Sequence, residues 1–314
     1  MKSKITAFTL ATLMTTASFN ALAATDAPLV TNPRYDASIL VAEAFNKIGK
    51  NYESNKSCIS TYYKENVKKD NSTISLNEAL LDVEKASYFS GKNDKILVKK
   101  IRKNNTFNAD PILFKLQGGP NNIARLDIIK YSFPGCEFQK MEDLYNFEYG
   151  NPISQDGKTF FIVNFNQKQS CEQILYNGKI YIDSESFAIA KIEFSMNLHN
   201  REDAYLSFIK GKPSHLKIKV NEAKYVVGYK EYNGKWYYDY SRSDIDLSVK
   251  SKKHNIDNKY TITSGMVVTS YNSSDQIENG HPFKSNEILA DKSIKGDETL
   301  IWELYDELML LAML

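Results

Sequence analysis

The stretch 224–247, KYVVGYKEYNGKWYYDYSRSDIDL, places Asn233-Gly234 between two runs of β-forming residues. Asn-Gly is the strongest two-residue hairpin signal, because both residues tolerate the positive φ of a type I′ turn. Tyr225, Val226, Val227 and Tyr229 precede it, and Trp236, Tyr237, Tyr238 and Tyr240 follow, which is strand composition on both sides. The same tetrapeptide, Tyr-Asn-Gly-Lys, occurs at 176–179 within CEQILYNGKIYID. The sequence therefore predicts two hairpins, at Asn177-Gly178 and Asn233-Gly234. Asp156-Gly157 predicts a third, and Ser184-Glu185-Ser186 a further turn. From about Phe138 to Tyr271 the chain reads as successive antiparallel strands. In FAIAKIEFSMN, the residues Ala188, Ala190, Ile192, Phe194 and Met196 alternate onto one face, with Lys191, Glu193 and Ser195 on the other.

Outward from this core the pattern changes. Asp36 caps a helix expected from Ala37 to Lys47, with Val41, Phe45 and Ile48 on one face and Gly49 at its end. SCISTYYKENV (57–67) and KILVKKI (95–101) read as strands, while TISLNEALLDVEKASYF (73–89) fits either helix or strand. Gly118-Gly119-Pro120 opens a helix expected to run to about Tyr131, since proline is favoured in a first turn. A short helical excursion is expected over 202–210, after which HLKIKV (215–220) resumes the sheet. TLIWELYDELMLLAML (299–314) predicts a closing helix with Ile301, Leu304, Leu308 and Leu311 on one stripe.

Lys2 and Lys4, an apolar run from Ile5 to Phe19, and Ala21-Leu22-Ala23 form the pattern of an export signal cleaved after Ala23, an uncleaved anchor being the alternative. Residues 24–35 are then an extended leader, and 36–314 a single domain. Of the 40 Lys and Arg, two fall in the signal, leaving 38 against 38 Asp and Glu. A balanced chain gives no reason to expect nucleic acid or an anionic surface as partner. No apolar run after the signal approaches the roughly 20 residues of a membrane helix. Three cysteines allow at most one internal disulfide; Cys136 and Cys171 are the preferred pair, against three buried thiols.

Catalytic patterns are sparse. The histidines His199, His215, His254 and His281 form no HExxH pair, though His199 and His215 bracket the short excursion. No GxSxG elbow occurs, and Gly118-Gly119-Pro120 lacks the Lys-Ser/Thr of a P-loop. Asp244 and Asp246 share a strand face, where acids are usually solvated. The aromatic run 236–240 is expected to supply cross-strand packing. No cofactor, metal or catalytic residue is assigned.

AFNKIGKNYESN, YYKENV, NEALLDVEKASY, LQGGPNNIARLDIIKY, LYNGKIYIDSESFAIAKIEFSMN, YVVGYKEYNGKWYYDYSRSD, SGMVVTSY and DETLIWELYDEL occur in that order over residues 44–308. In this the chain resembles the β-rich region of Bacteroidetes exported carboxypeptidase-like regulatory domain-containing proteins, without the regulatory sandwich. That resemblance carries no catalytic residues. The helix-then-meander layout, with Tyr176-Asn177-Gly178-Lys179-Ile180-Tyr181-Ile182-Asp183, is also similar to the half-barrel of LolA-like lipoprotein carriers. The expected fold is α+β: one large curved antiparallel sheet with the helices near 37–48, 120–131 and 202–210 on its concave side. The expected function is non-enzymatic, in the periplasm or at the outer membrane. The protein would bind a hydrophobic ligand (lipid, acyl chain or lipoprotein) or an envelope partner protein, with Ala188, Ala190, Ile192, Phe194 and Met196 lining the interior. The alternatives are a structural interaction module of the cell envelope and, third, a hydrolase.

Overall fold

The computed structural model describes residues 36–105, 116–134, 136, 140–209, 212, 214–272, 281–292 and 299–312. The expected signal and leader lie outside them. The strands are β1 (Ser57–Lys69), β2 (Ser72–Lys85), β3 (Lys95–Asn105), β4 (Tyr145–Tyr149), β5 (Ile153–Gln155), β6 (Lys158–Gln167), β7 (Tyr176–Asp183), β8 (Ile189–Met196), β9 (Lys217–Tyr232), β10 (Lys235–Ser251), β11 (Ile256–Asn272) and β12 (His281–Pro282). They form one antiparallel sheet in the order β12-β3-β2-β1-β11-β10-β9-β8-β7-β6-β4, with β5 beside β6. This is the expected α+β class. β2 resolves the ambiguous stretch as strand, because Ala79, Leu81 and Val83 are buried at a spacing of two. At one edge the two-residue β12 covers only Leu97 and Val98 of β3, which otherwise carries Lys95, Lys99, Lys100, Arg102 and Lys103, a composition that discourages pairing with a further chain.

The two Tyr-Asn-Gly-Lys copies behave differently. At the second, Tyr232 pairs with Lys235, and Asn233 and Gly234 have φ of 51° and 75°, the expected turn. Asp156 and Gly157 (51° and 76°) make the β5–β6 turn in the same way. The first copy is no turn. Asn177 and Gly178 lie inside β7, with Gly178 paired to Phe165 on one side and Phe194 on the other. A Cβ there would lie 2.1 Å from the Glu193 carbonyl oxygen and 2.8 Å from the Phe165 ring. Strand pairing on both sides overrides the local turn preference, and the reversal falls ahead at 183–187, where Asp183 accepts hydrogen bonds from the Ser186 amide and hydroxyl (2.8 and 2.6 Å).

The helices cover one face of the sheet, here the inner face. α1 (Ala37–Asn46) starts where the Asp36 carboxylate accepts from the Ser38 amide at 2.9 Å, as predicted. It buries Leu40, Val41, Ala44 and Phe45. Gly49 does not end it. The helix breaks at Lys47, and Gly49 lies within α2 (Ile48–Asn51), anchored by Asn51 to the Ser186 carbonyl. The single helix expected after Pro120 is two: α3 (Gly119–Ala124) and α4 (Ile128–Tyr131). The interruption has an electrostatic cause. Asp127 caps α4 and is fully buried, 2.7 Å from Lys85, which also reaches Asp94 at 3.1 Å, while Lys130 reaches Asp94 at 3.0 Å. The Tyr229 hydroxyl donates to Asp127 at 2.9 Å. Two lysines and two aspartates thus form a neutral buried cluster. Burial lowers the Lys85 pKa, but Asp127 and Asp94 outweigh it and hold the ammonium well above its ordinary range. A last short helix, α5 (Met141–Leu144), leads into β4.

The opposite, outer face is covered by α6 (Thr299–Ala312). Trp302 and Met309 are buried against Tyr62, Tyr240 and Val267, and Tyr305 stacks on Tyr62 at 5.5 Å. The Tyr62 hydroxyl lies 2.6 Å from both Glu78 and Asp306, which are paired with Arg102 and Lys64. This reverses the expected stripe: Leu304 and Leu308 point to solvent, and the side chains of Ile301 and Leu311 lie outside the described residues.

Candidate functional site

Cross-strand register divides the inner face into two apolar ends. One is built on Tyr63, Ala79, Met266, Val227, Ile192 and Ile180 and is filled from above by α1, α3 and α4. The other is built on Val67, Val220, Ala223, Leu247, Val249 and Tyr260, with Met196 at its margin. Between them runs a polar row in register across four strands: Asn77, Glu65, Ser264 and Ser243.

The second end is covered differently. None of α1 to α5 contributes to its cluster. Among the described residues its cover is the segment 198–209, containing a single 3-10 turn over Ala204–Ser207 where the sequence predicts a longer helical excursion, with Leu116 also packed on the cluster. Ala204 is buried, and Leu198, Tyr205, Phe208 and Ile209 are half-buried on the cluster, while Leu206 is 63% exposed. Below this lid Ile174, Tyr225, Ile245 and Ile256 are also only half-buried. Long strands position the floor: β9, β10 and β11 extend beyond the region that the helices fill, and their alternation aims Val220, Leu247 and Tyr260 at the lid. A partly covered apolar floor of this kind suits an apolar chain.

The five residues expected to line the interior are distributed along the inner face. Ala188 and Ile192 are fully buried in the helix-covered end, and Phe194 stands at the polar row, stacked on Tyr225 at 5.0 Å. Met196 belongs to the lid end. Ala190 is the extra residue of a bulge, since Tyr181 pairs with Lys191 and Ile182 with Ile189, so Ile189 takes the inward place that alternation assigned to Ala190. Cys136 and Cys171, the expected pair, stand as half-buried thiols both packed on the helix-covered cluster, and Cys58 is buried. Burial raises the Cys136 thiol to about 11.

Other groups do not assemble into chemistry. His215 meets His254, not His199, with ring centroids 4.5 Å apart at an exposed end of the sheet. Asp244 is held by Arg242 at 2.7 Å and accepts from Thr263, and Asp246 accepts from Thr261. Trp236, Tyr238 and Tyr240 are buried packing residues. Among the described residues no three His, Cys, Asp or Glu gather as a metal site, and no helix is long and apolar enough to cross a membrane. A hollow of about 370 Å³ on the outer face is lined by Lys179, Lys191, Glu193, Lys224 and Asp244. Its charges are largely paired, Lys191 with Glu193 and Lys224 with Glu222, each at 2.6 Å. The lid residues were not singled out from the sequence. The alternation in HLKIKV was a signal for Ile218 and Val220, but their partners on β10 and β11 lie too far along the chain for local pattern to join them.

No family model matches the chain, so the resemblance to carboxypeptidase-like regulatory domain proteins has no support there. No curated protein matches it either. Solved structures give distant likenesses. A domain from Vibrio parahaemolyticus assigned as an outer membrane lipoprotein-sorting protein has a TM-score of 0.33 and 10% identity, over 77% of this chain and 94% of that one. A DUF1329 family protein from Desulfovibrio piger has a TM-score of 0.34 and 9% identity, over 78% and 96%. A LolA superfamily protein from Nitrosomonas europaea has a TM-score of 0.29 and 8% identity, over 77% and 96%. At such scores the likeness carries no argument about function, and the fold rests on the strand pairing itself.

Proposed function

We propose that this is a non-enzymatic protein of the bacterial envelope that takes an apolar chain, a lipid or the acyl group of a lipoprotein, beneath the 198–209 segment. One observation carries the reading: among the described residues the apolar floor of β9, β10 and β11 is covered by the 198–209 segment, with half-buried Leu198, Tyr205, Phe208 and Ile209, and by Leu116, while the other end of the same face is filled by helices. Met196 lies at the margin of this floor, and Phe194, at the polar row, stacks on Tyr225, which borders it. Export is supported by Lys2, Lys4, the apolar run to Phe19 and Ala21-Leu22-Ala23. Displacing the 198–209 segment would open an interior of this kind.

The test is titration of the purified protein with a fluorescent long-chain fatty acid. Saturable binding is expected, weakened at least about tenfold by Phe208→Asp, since a charge at the lid opposes burial of an acyl chain. No binding to the folded wild type, or equal binding by the variant, contradicts the reading. A second reading, an interaction module, is favoured by exposed Leu304, Leu308 and Leu310 on α6. Pairing of Cys136 with Cys171 after export stays part of the proposal. Alkylation of the exported protein, unfolded without reductant, should then label one thiol, and labelling of all three ends that part.

A further inference from the structure

Glu65 is the one carboxylate among those described above that is buried without a cation. It is 2% exposed. Asp94 and Asp127 share Lys85 and Lys130, and Glu78 has Arg102. Glu65 instead accepts from the Tyr63 hydroxyl at 2.7 Å and from the Asn77 side-chain amide at 3.1 Å. Above it sits the start of α3. A Cβ on Gly119 would lie 2.7 Å from Glu65 Oε2 and 2.6 Å from the Tyr63 hydroxyl, so the helix rests directly on the carboxyl, with no room for water between them.

The groups facing Glu65 are neutral: Tyr63 on its own strand, Asn77 and Ser75 from β2, Ser264 from β11, Ser243 from β10, and the backbone of Gly119 from α3. Tyr63 is the titratable one, and burial followed by the Glu65 charge pushes its hydroxyl well up, so it stays protonated. A carboxylate in such a place must recruit water or a counter-charge to ionise. With the contact this close, water enters only if α3 lifts.

We propose that Glu65 is a pH-sensitive seat for α3: the protonated carboxyl holds residues 119–124 on the sheet, and its ionisation loosens them. The device stands on the helix–sheet contact and is independent of what the lid end binds. Burial raises the carboxyl from 4.5 to about 7, with Tyr63 and Asn77 opposing. The folded state therefore holds a proton that the unfolded state has lost between these values. The contact weakens as pH rises through that window and is unchanged above it.

Hydrogen–deuterium exchange of the intact protein, corrected for intrinsic rates, tests this at about pH 5.5 and about pH 8.5. The backbone amides of Asn122, Ile123 and Ala124 are expected to lose protection at least about tenfold at the higher pH in the wild type, and to keep it in Glu65→Gln. Protection that is independent of pH in the wild type, or an equal loss in Glu65→Gln, overturns the proposal. Infrared titration of the wild type gives a reading that needs no variant. A protonated-carboxyl band lost near pH 7 is expected, and its absence at pH 5.5 overturns the proposal.

Discussion

At Gly178 there is no space for a side chain. The glycine lies between Phe165 and Phe194 across its two neighbouring strands, and an added methyl would overlap the Glu193 carbonyl. Gly234 has nothing within 4 Å, but its φ of 75° disfavours any other residue. The two glycines of the repeated tetrapeptide are thus needed for different reasons, and substitution separates them. Gly178→Val is expected to cost about 3 kcal/mol or more through overpacking between strands. Gly234→Val costs roughly 1 kcal/mol through backbone strain alone. Urea unfolding of both variants measures this, and an equal or reversed order contradicts the assignment of the first copy to a strand. The second hairpin was legible because Asn233-Gly234 acts locally. The first copy carries the same local signal, but its conformation is decided by Phe165 and Phe194, neither of which a turn rule considers.

At the scale of elements, α1 was legible from Asp36 and the apolar spacing after it, since cap and buried face lie within one short stretch. The break between α3 and α4 was not. It follows from Asp127, whose partners Lys85 and Tyr229 are 42 and 102 residues away. Asp127→Ala leaves Lys85 with Asp94 alone and removes the cap of α4, so a loss of about 3–5 kcal/mol is expected in urea unfolding. A loss below about 1 kcal/mol would show that the cluster does not hold α4 in place. The α6 stripe was legible as periodic, but its direction was not. Leu304 and Leu308 are as apolar as the buried pair, and what turns the helix is Tyr62, which stacks on Tyr305 and lies beside Asp306. In the same way, the expected interior face 188–196 is displaced at Ala190 by a bulge set by the partner strand β7.

Over the whole molecule, one sheet carries two apolar ends separated by the row Asn77, Glu65, Ser264 and Ser243. The sheet class was readable from turn signals and alternation. The division into a helix-filled end and a lid-covered end was not, because it depends on the register of β1, β9, β10 and β11, which brings Val67, Ala223, Ile245 and Ile262 into line. That division gives one face two parts: a core beneath α1 to α4 and a floor covered by the 198–209 segment. The proposed function requires this floor to receive an apolar chain. Native mass spectrometry of the protein recovered from producing cells, with organic extraction of what it carries, tests this most directly. A reproducible lipid or acyl adduct is expected, one that Phe208→Asp removes from a protein that stays folded. A clean, unliganded mass for the folded wild type would contradict it.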